Sequence, residues 1–176
     1  MRLPIPLCTP RAALAAASLA MLTSLTACTH VTLISRYDEA TDRGLTDLQK
    51  ASDDFLTTMM ANAPSEQNAY EKNQKFYDDM DQQLRRLEFR VGSVPNNDFT
   101  KKLVGNIRTV ILGEGKCTVE GASLRDLHCL PASRDKGPSR TALQIQQRNI
   151  NQTIHAALTL ELAKKQGLEE KDFQPK

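Results

Sequence analysis

The sequence predicts an all-α domain, an up-and-down bundle of four helices with a long cysteine-bearing loop between the third and the fourth. Three observations carry that prediction. Apolar residues recur at helical spacing in four long segments. Short polar, Pro- or Gly-containing turns separate the first three and favour antiparallel neighbours. Residues 113–138 then lack periodicity and hold both Cys117 and Cys129.

The first helix is expected from 38 or 42 to 60. Asp38, Thr41 and Asp42 are its candidate caps, and Leu45, Leu48, Phe55, Leu56 and Met59 form its apolar side. Asn62-Ala63-Pro64-Ser65 breaks the chain, with Ser65 as the cap of a second helix over 65–90. Its stripe runs through Ala69, Phe76, Met80, Leu84, Leu87 and Val91 on an otherwise polar surface. After a turn at 92–97, Asn96 or Asn97 caps a third helix over 98–112, faced by Phe99, Leu103, Ile107, Val110 and Ile111. Within 113–138, the segments 117–119 and 126–130 are candidates for a small hairpin. The last helix is expected over 139–166, capped by Ser139 and stopped by Gly167. Leu143, Ile150, Ile154, Ala157 and Leu158 form its main stripe, and Ala142, Ile145, Leu160, Leu162 and Ala163 widen it, which makes it the most central helix. Lys164 and Lys165 suit its negative end and read as solvated.

The amino terminus has a different character. Arg2 and Arg11 are its only charges before Arg36, no acid occurs until Asp38, and 12–27 reads AALAAASLAMLTSLTA. A positive head, an apolar middle and small residues at a cut are the layout of an export signal. The run falls short of the roughly 20 apolar residues of a membrane span. It ends in Leu25-Thr26-Ala27-Cys28. This tetrad resembles the lipobox of bacterial lipoproteins: an aliphatic residue, a small one, Ala or Gly, then the cysteine. The competing reading is an ordinary export signal with a chance cysteine. The resemblance covers the signal and lipobox alone, and no activity follows from it.

The resemblance implies cleavage between Ala27 and Cys28, a covalent diacylglycerol on the Cys28 sulfur and an acyl group on its freed amine. Two or more chains give stable anchoring where one is marginal. Thr29, in place of the Asp that favours inner-membrane retention, implies the outer membrane in a diderm cell. The chain then divides into a cleaved signal (1–27), a lipidated start with a short apolar connector (28–37), a helical domain (38–167) and a frayed charged tail (168–176). Val31, Leu33 and Ile34 in the connector replace a Gly/Ser tether, so the domain is expected close to the membrane.

Removing the first 27 of 176 residues leaves 149, enough for one domain with a core. Lys plus Arg falls from 23 to 21 and matches the 21 acids, so the formal side-chain charge of the mature chain is zero. That excludes the clustered basic excess of a nucleic-acid binder. Cys8 leaves with the signal and Cys28 carries lipid. Cys117 and Cys129 therefore remain in an oxidising compartment and are expected to pair, giving a disulfide-stapled loop between helices 3 and 4. Such a bridge contributes on the order of 3 kcal/mol. A metal site would need more ligands than His128 alone, and a redox pair usually shows CxxC spacing.

No phosphate cradle, HExxH or calcium loop occurs. Ser123, Asp126 and His128 supply the residue types of a hydrolytic triad, but three residues of one short loop are poor scaffolding for one. Arg125, Asp126 and His128 are instead expected as a polar contact loop. His155 is expected to be exposed, and the amide-rich run 144–152 is either a partner-facing strip or a plain solvated side. The expected function is thus a membrane-anchored cell-envelope lipoprotein with a structural or protein-interaction role, no enzyme, and no cofactor beyond its covalent lipid. Its expected partners are the bilayer and another envelope protein. The alternative is a small-ligand or inhibitor module using the 113–138 loop or a cavity among Phe76, Phe99 and Ile150.

Overall fold

A computed structural model describes residues 35–118 and 123–167, all within the compact unit Leu33–Lys176. The signal segment, Ala27, Cys28, the first part of the connector and the tail lie outside the described residues. The described chain is a helical bundle: α1 (Glu39–Ala61), a 3-10 turn (Glu66–Asn68), α2 (Tyr70–Gly92), α3 (Asp98–Leu112), α4 (Leu124–Cys129) and α5 (Arg140–Lys165), with no strand among them. Helix α1 packs against α2 and α5, α3 packs against the same two, and the short α4 sits on α2 and α3. No helix among the described residues is long and apolar enough to cross a membrane.

The four long helices are buried along most of the apolar stripe expected of each. Leu45, Leu48, Leu56 and Met59 of α1 meet Met80, Leu84 and Val91 of α2, Val104, Ile107 and Ile111 of α3, and Leu143, Ile150 and Ile154 of α5 in one core. Each such side chain contributes about 1.5–3 kcal/mol by leaving water.

Asp38 starts α1 as expected. Its carboxylate accepts from the Thr41 backbone N–H (3.2 Å) and hydroxyl (2.6 Å), which satisfies an amide that has no partner inside the helix. The same carboxylate takes a two-pronged bond from Arg90 of α2, Nε at 2.9 Å and Nη2 at 2.5 Å. Ser139 caps α5 by accepting from the Ala142 N–H, and Gly167 (φ +75°) turns the chain out of it.

Four expectations need correction. Helix α2 starts at Tyr70, not Ser65, because the Glu66–Asn68 turn intervenes; there the Ser65 and Tyr70 amides donate to Lys136 O and Arg134 O. Phe99 is half exposed, since the buried face of α3 runs Thr100, Val104, Ile107, Ile111 and Phe99 lies about 100° around the helix from it. Ile145 and Leu162 are likewise exposed, so the apolar arc of α5 is narrower than expected. The 113–138 segment forms no hairpin at 126–130: Leu124–Cys129 is helical. Ser123 accepts from the Asp126 N–H and donates to its carboxylate, a reciprocal cap that starts α4.

Removing the carboxylate in Asp38→Ala should lower unfolding stability by about 1–2 kcal/mol, read by urea titration. Arg90 and the Thr41 hydroxyl hold this carboxyl well below the usual range, opposed by partial burial. A depressed pKa stabilises the fold above the unfolded carboxyl's value of about 3.9 and is lost as pH falls through the folded one. The gap between wild type and variant should therefore shrink on acidification below that value.

Candidate functional site

The cysteine-bearing segment returns on itself at Cys117–Cys129, whose Cα atoms are 5.2 Å apart, as a disulfide requires. This bears out the expected pairing. Cys117 also donates its N–H to Asp126 Oδ1 at 3.1 Å. Gly113 (φ +55°) ends α3 directly beneath the Ser123–Asp126 cap, where any Cβ would collide with both side chains.

The residues expected at a polar loop tip lie elsewhere. Asp126 is 1% exposed and His128 is fully buried; Arg125 is partly buried, its Nε donating to the Tyr70 hydroxyl at 3.2 Å. The reason is geometric. In α4, Asp126 turns back to cap the helix while His128 turns inward onto α2. His128 Nε2 lies 2.7 Å from Asn68 O, and Nδ1 lies 2.8 Å from the Tyr77 hydroxyl. A carbonyl can only accept, so Nε2 carries the hydrogen and Tyr77 donates to Nδ1. Asn68 in turn donates its amide N–H to Met59 O at the end of α1 (2.8 Å), and Gly137 packs on Asn68. Tyr70, Tyr77, Phe55 and Phe76 surround this chain of bonds, with Phe55 and Phe76 stacked at 3.7 Å.

This arrangement does not assemble a triad. The Ser123 hydroxyl proton is committed to Asp126, and both His128 nitrogens are occupied by Asn68 and Tyr77. Burial pushes the His128 imidazole below its ordinary value, against the opposing pull of the Asn68 carbonyl. Burial also pushes the Tyr77 phenol up. Both effects keep the pair neutral, which suits a structural bond. Among the described residues no cluster of His, Cys, Asp and Glu is arranged to hold a metal ion.

Two further features stand out: the sequence reading missed the first, and of the second it singled out only the amide-rich run 144–152. At the end of the bundle opposite α4, Lys164 and Glu161 are buried together, Nζ to Oε1 at 2.6 Å. Lys164 also donates to Asn97 Oδ1 (2.8 Å) and Thr100 Oγ1 (2.6 Å), and Ser35 Oγ donates to Asn97 Oδ1 (2.7 Å). Lys164 is therefore not solvated as expected. The signal was present: Ile150, Ile154, Ala157, Glu161 and Lys164 are spaced along one buried stripe, so two charges fall where apolar residues belong.

The second feature is a groove of about 660 Å³ between α1 and α5, lined by Gln49, Gln144, Gln147, Arg148, Asn151, Gln152 and His155. Asp53 beneath it accepts from Asn151 Nδ2 (3.0 Å) and Gln147 Nε2 (3.3 Å), while Asn151 Oδ1 is buried with no hydrogen-bond partner. His155 is exposed on its rim, as expected. The cavity expected among Phe76, Phe99 and Ile150 does not line this groove; Phe76 is stacked on Phe55 and Ile150 lies in the core.

Comparisons of the chain with protein families, with curated proteins and with solved structures give no match.

Nitrogen-resolved NMR should show His128 as the neutral Nε2–H form just below the ordinary imidazole value of about 6.5. The unfolded chain takes up a proton there that the folded one refuses, so stability should fall as pH drops through that window. A ring titrating above its ordinary value would contradict the assignment.

Proposed function

We propose that this protein is a lipid-anchored component of a bacterial cell envelope, exported, held on a membrane by acyl chains on Cys28, and engaged with another envelope protein through the α1/α5 groove. The observation that carries the interaction reading is the groove itself. Gln144, Gln147, Asn151 and His155 follow one another at three- and four-residue steps along α5, facing Gln49 across the groove. Amides present donors and acceptors together, which suits the backbone or polar side chains of a protein partner. Among the described residues of the stapled segment, Ser123 and Asp126 bond to each other, His128 bonds to Asn68 and Tyr77, and Arg125 bonds to Tyr70, which favours interaction over catalysis. The anchor reading rests on Leu25-Thr26-Ala27-Cys28.

We read α1, α2, α3 and α5 as an up-and-down four-helix bundle. The ring of contacts α1–α2–α3–α5–α1 and the short connections among the first three support that arrangement. A second reading, a small polar ligand in the same groove, draws on the buried and unpartnered Asn151 Oδ1, to which a donor would bind.

Metabolic acyl labelling of cells making the full chain should mark the protein and be abolished in Cys28→Ala. Photo-crosslinkable residues at Gln144 and Gln152 should yield one shared adduct with an envelope protein. The same residue at Gln74 or Gln82, on the outer face of α2, should not. An unlabelled protein would contradict the anchor; adducts shared with α2, or none from the groove, would contradict the interface.

A further inference from the structure

We infer that the end of the bundle bearing Ser35 is a membrane-seating face, with Phe89, Phe99 and Leu162 entering the headgroup region of an anionic phospholipid bilayer; this rests on the anchor reading above. Among the described residues the large apolar side chains most open to solvent are Phe89 (79% exposed), Phe99 (50%), Ile145 (51%) and Leu162 (54%). Scattered singly they would mean nothing. Three of them, however, gather at one end. Phe89 adjoins Arg90, which binds Asp38; Phe99 adjoins Thr100; and Leu162 adjoins Glu161. Asp38, Thr100 and Glu161 are joined through the hydrogen bonds around Lys164 and the Asp38 N–H. All three exposed side chains thus stand within a turn of one buried cluster, on three different helices.

The chain arrives at this same end. Ser35 is tied to it by its N–H on Asn96 O (2.8 Å) and by its hydroxyl on Asn97. Seven residue steps separate Ser35 from Cys28, at most about 25 Å of extended chain. Helix α5 alone, 26 residues long, extends roughly 39 Å. A lipid on Cys28 therefore keeps this end, and not the α4 end, within reach of the bilayer surface.

The charge around the three side chains suits anionic headgroups. Arg36, Arg86, Lys101, Lys102 and Lys165 are exposed there. Among the described residues, four acids of the same end are held by partners, Asp38 by Arg90, Glu39 by Arg43, Asp42 by the Tyr37 hydroxyl and Glu88 by Arg108, while Asp98 is exposed 3.9 Å from Lys101. Aromatic and leucine side chains among lysines and arginines are the composition of an interfacial surface.

The chain contains no tryptophan, so single replacements report without background. Full-length protein carrying Phe89→Trp, Phe99→Trp or Leu162→Trp would be purified from membranes in its processed form. Mass spectrometry of the amino-terminal fragment establishes the lipid. Each variant is then placed in vesicles of equal parts phosphatidylethanolamine and phosphatidylglycerol, with or without brominated acyl chains. The three reporters should shift to shorter wavelength and lose roughly half their emission to bromine, as side chains seated in the headgroup–acyl boundary do. Ile145→Trp, equally exposed but toward the opposite end of α5, should do neither. Lipidated protein whose three reporters behave like Ile145→Trp would overturn the seating and leave the anchor standing. A Cys28 without lipid would overturn both.

Discussion

The buried pair of Lys164 and Glu161 constrains this fold more than any other interaction. Two charges removed from water cost several kcal/mol each unless the surroundings supply full compensation. Here compensation requires four segments to converge. Lys164 uses its three donors on Glu161, Thr100 and Asn97, and Glu161 accepts as well from the Thr100 hydroxyl and, at 3.4 Å, from the Asp38 N–H. Asn97 passes the network on to Ser35 and to Val91 O at the end of α2. The end of α5, the start of α3, the end of α2 and the approach to α1 must therefore meet at one point. Apolar stripes alone tolerate sliding and rotation; a charged pair with directional partners does not.

The opposite end is fixed by different means. The Cys117–Cys129 bridge closes the excursion after α3. The His128 bonds to Tyr77 and Asn68 then tie α4 to α2 and to the end of α1, while the backbone bonds of Ser65 and Tyr70 to 134–136 secure the approach to α5. With both ends specified by polar contacts, the apolar core between them needs only complementary volume. The groove between α1 and α5 lies along the length of the bundle, where Gln147 and Asn151 bond to Asp53 while the Gln144 and Gln152 side chains stay exposed.

Much of this was legible in the residues, for identifiable reasons. The helices follow from 3.6-residue spacing, and their ends from local chemistry: Asp38 and Ser139 cap as short polar side chains do, and Gly167 adopts the left-handed turn expected of it. The pairing of Cys117 with Cys129 was the expectation once Cys8 was assigned to an export signal and Cys28 to a lipid. Most of the failures involve tertiary context. Nothing local marks His128 as buried, because its partners Asn68 and Tyr77 are 60 and 51 residues away. The exposure of Phe99 depends on which side of α3 the neighbouring helices occupy. The α4 helix was encoded in Ser123 and Asp126 at capping spacing, masked by the surrounding glycines and prolines. Lys164 was misjudged because a lysine near a helix end is ordinarily solvated, although Glu161 on the same apolar stripe signalled otherwise.

A double-mutant cycle on Glu161 and Lys164 tests most directly whether the buried pair organises the bundle. Glu161→Leu and Lys164→Met would be made singly and together, and unfolding would be followed in urea. Each single change leaves a buried charge without its partner and should cost about 3–5 kcal/mol. The double change removes both charges and should cost far less than the sum, with the coupling appearing as non-additivity. Two small effects that simply add would contradict the account and assign the convergence of these four segments to apolar packing alone.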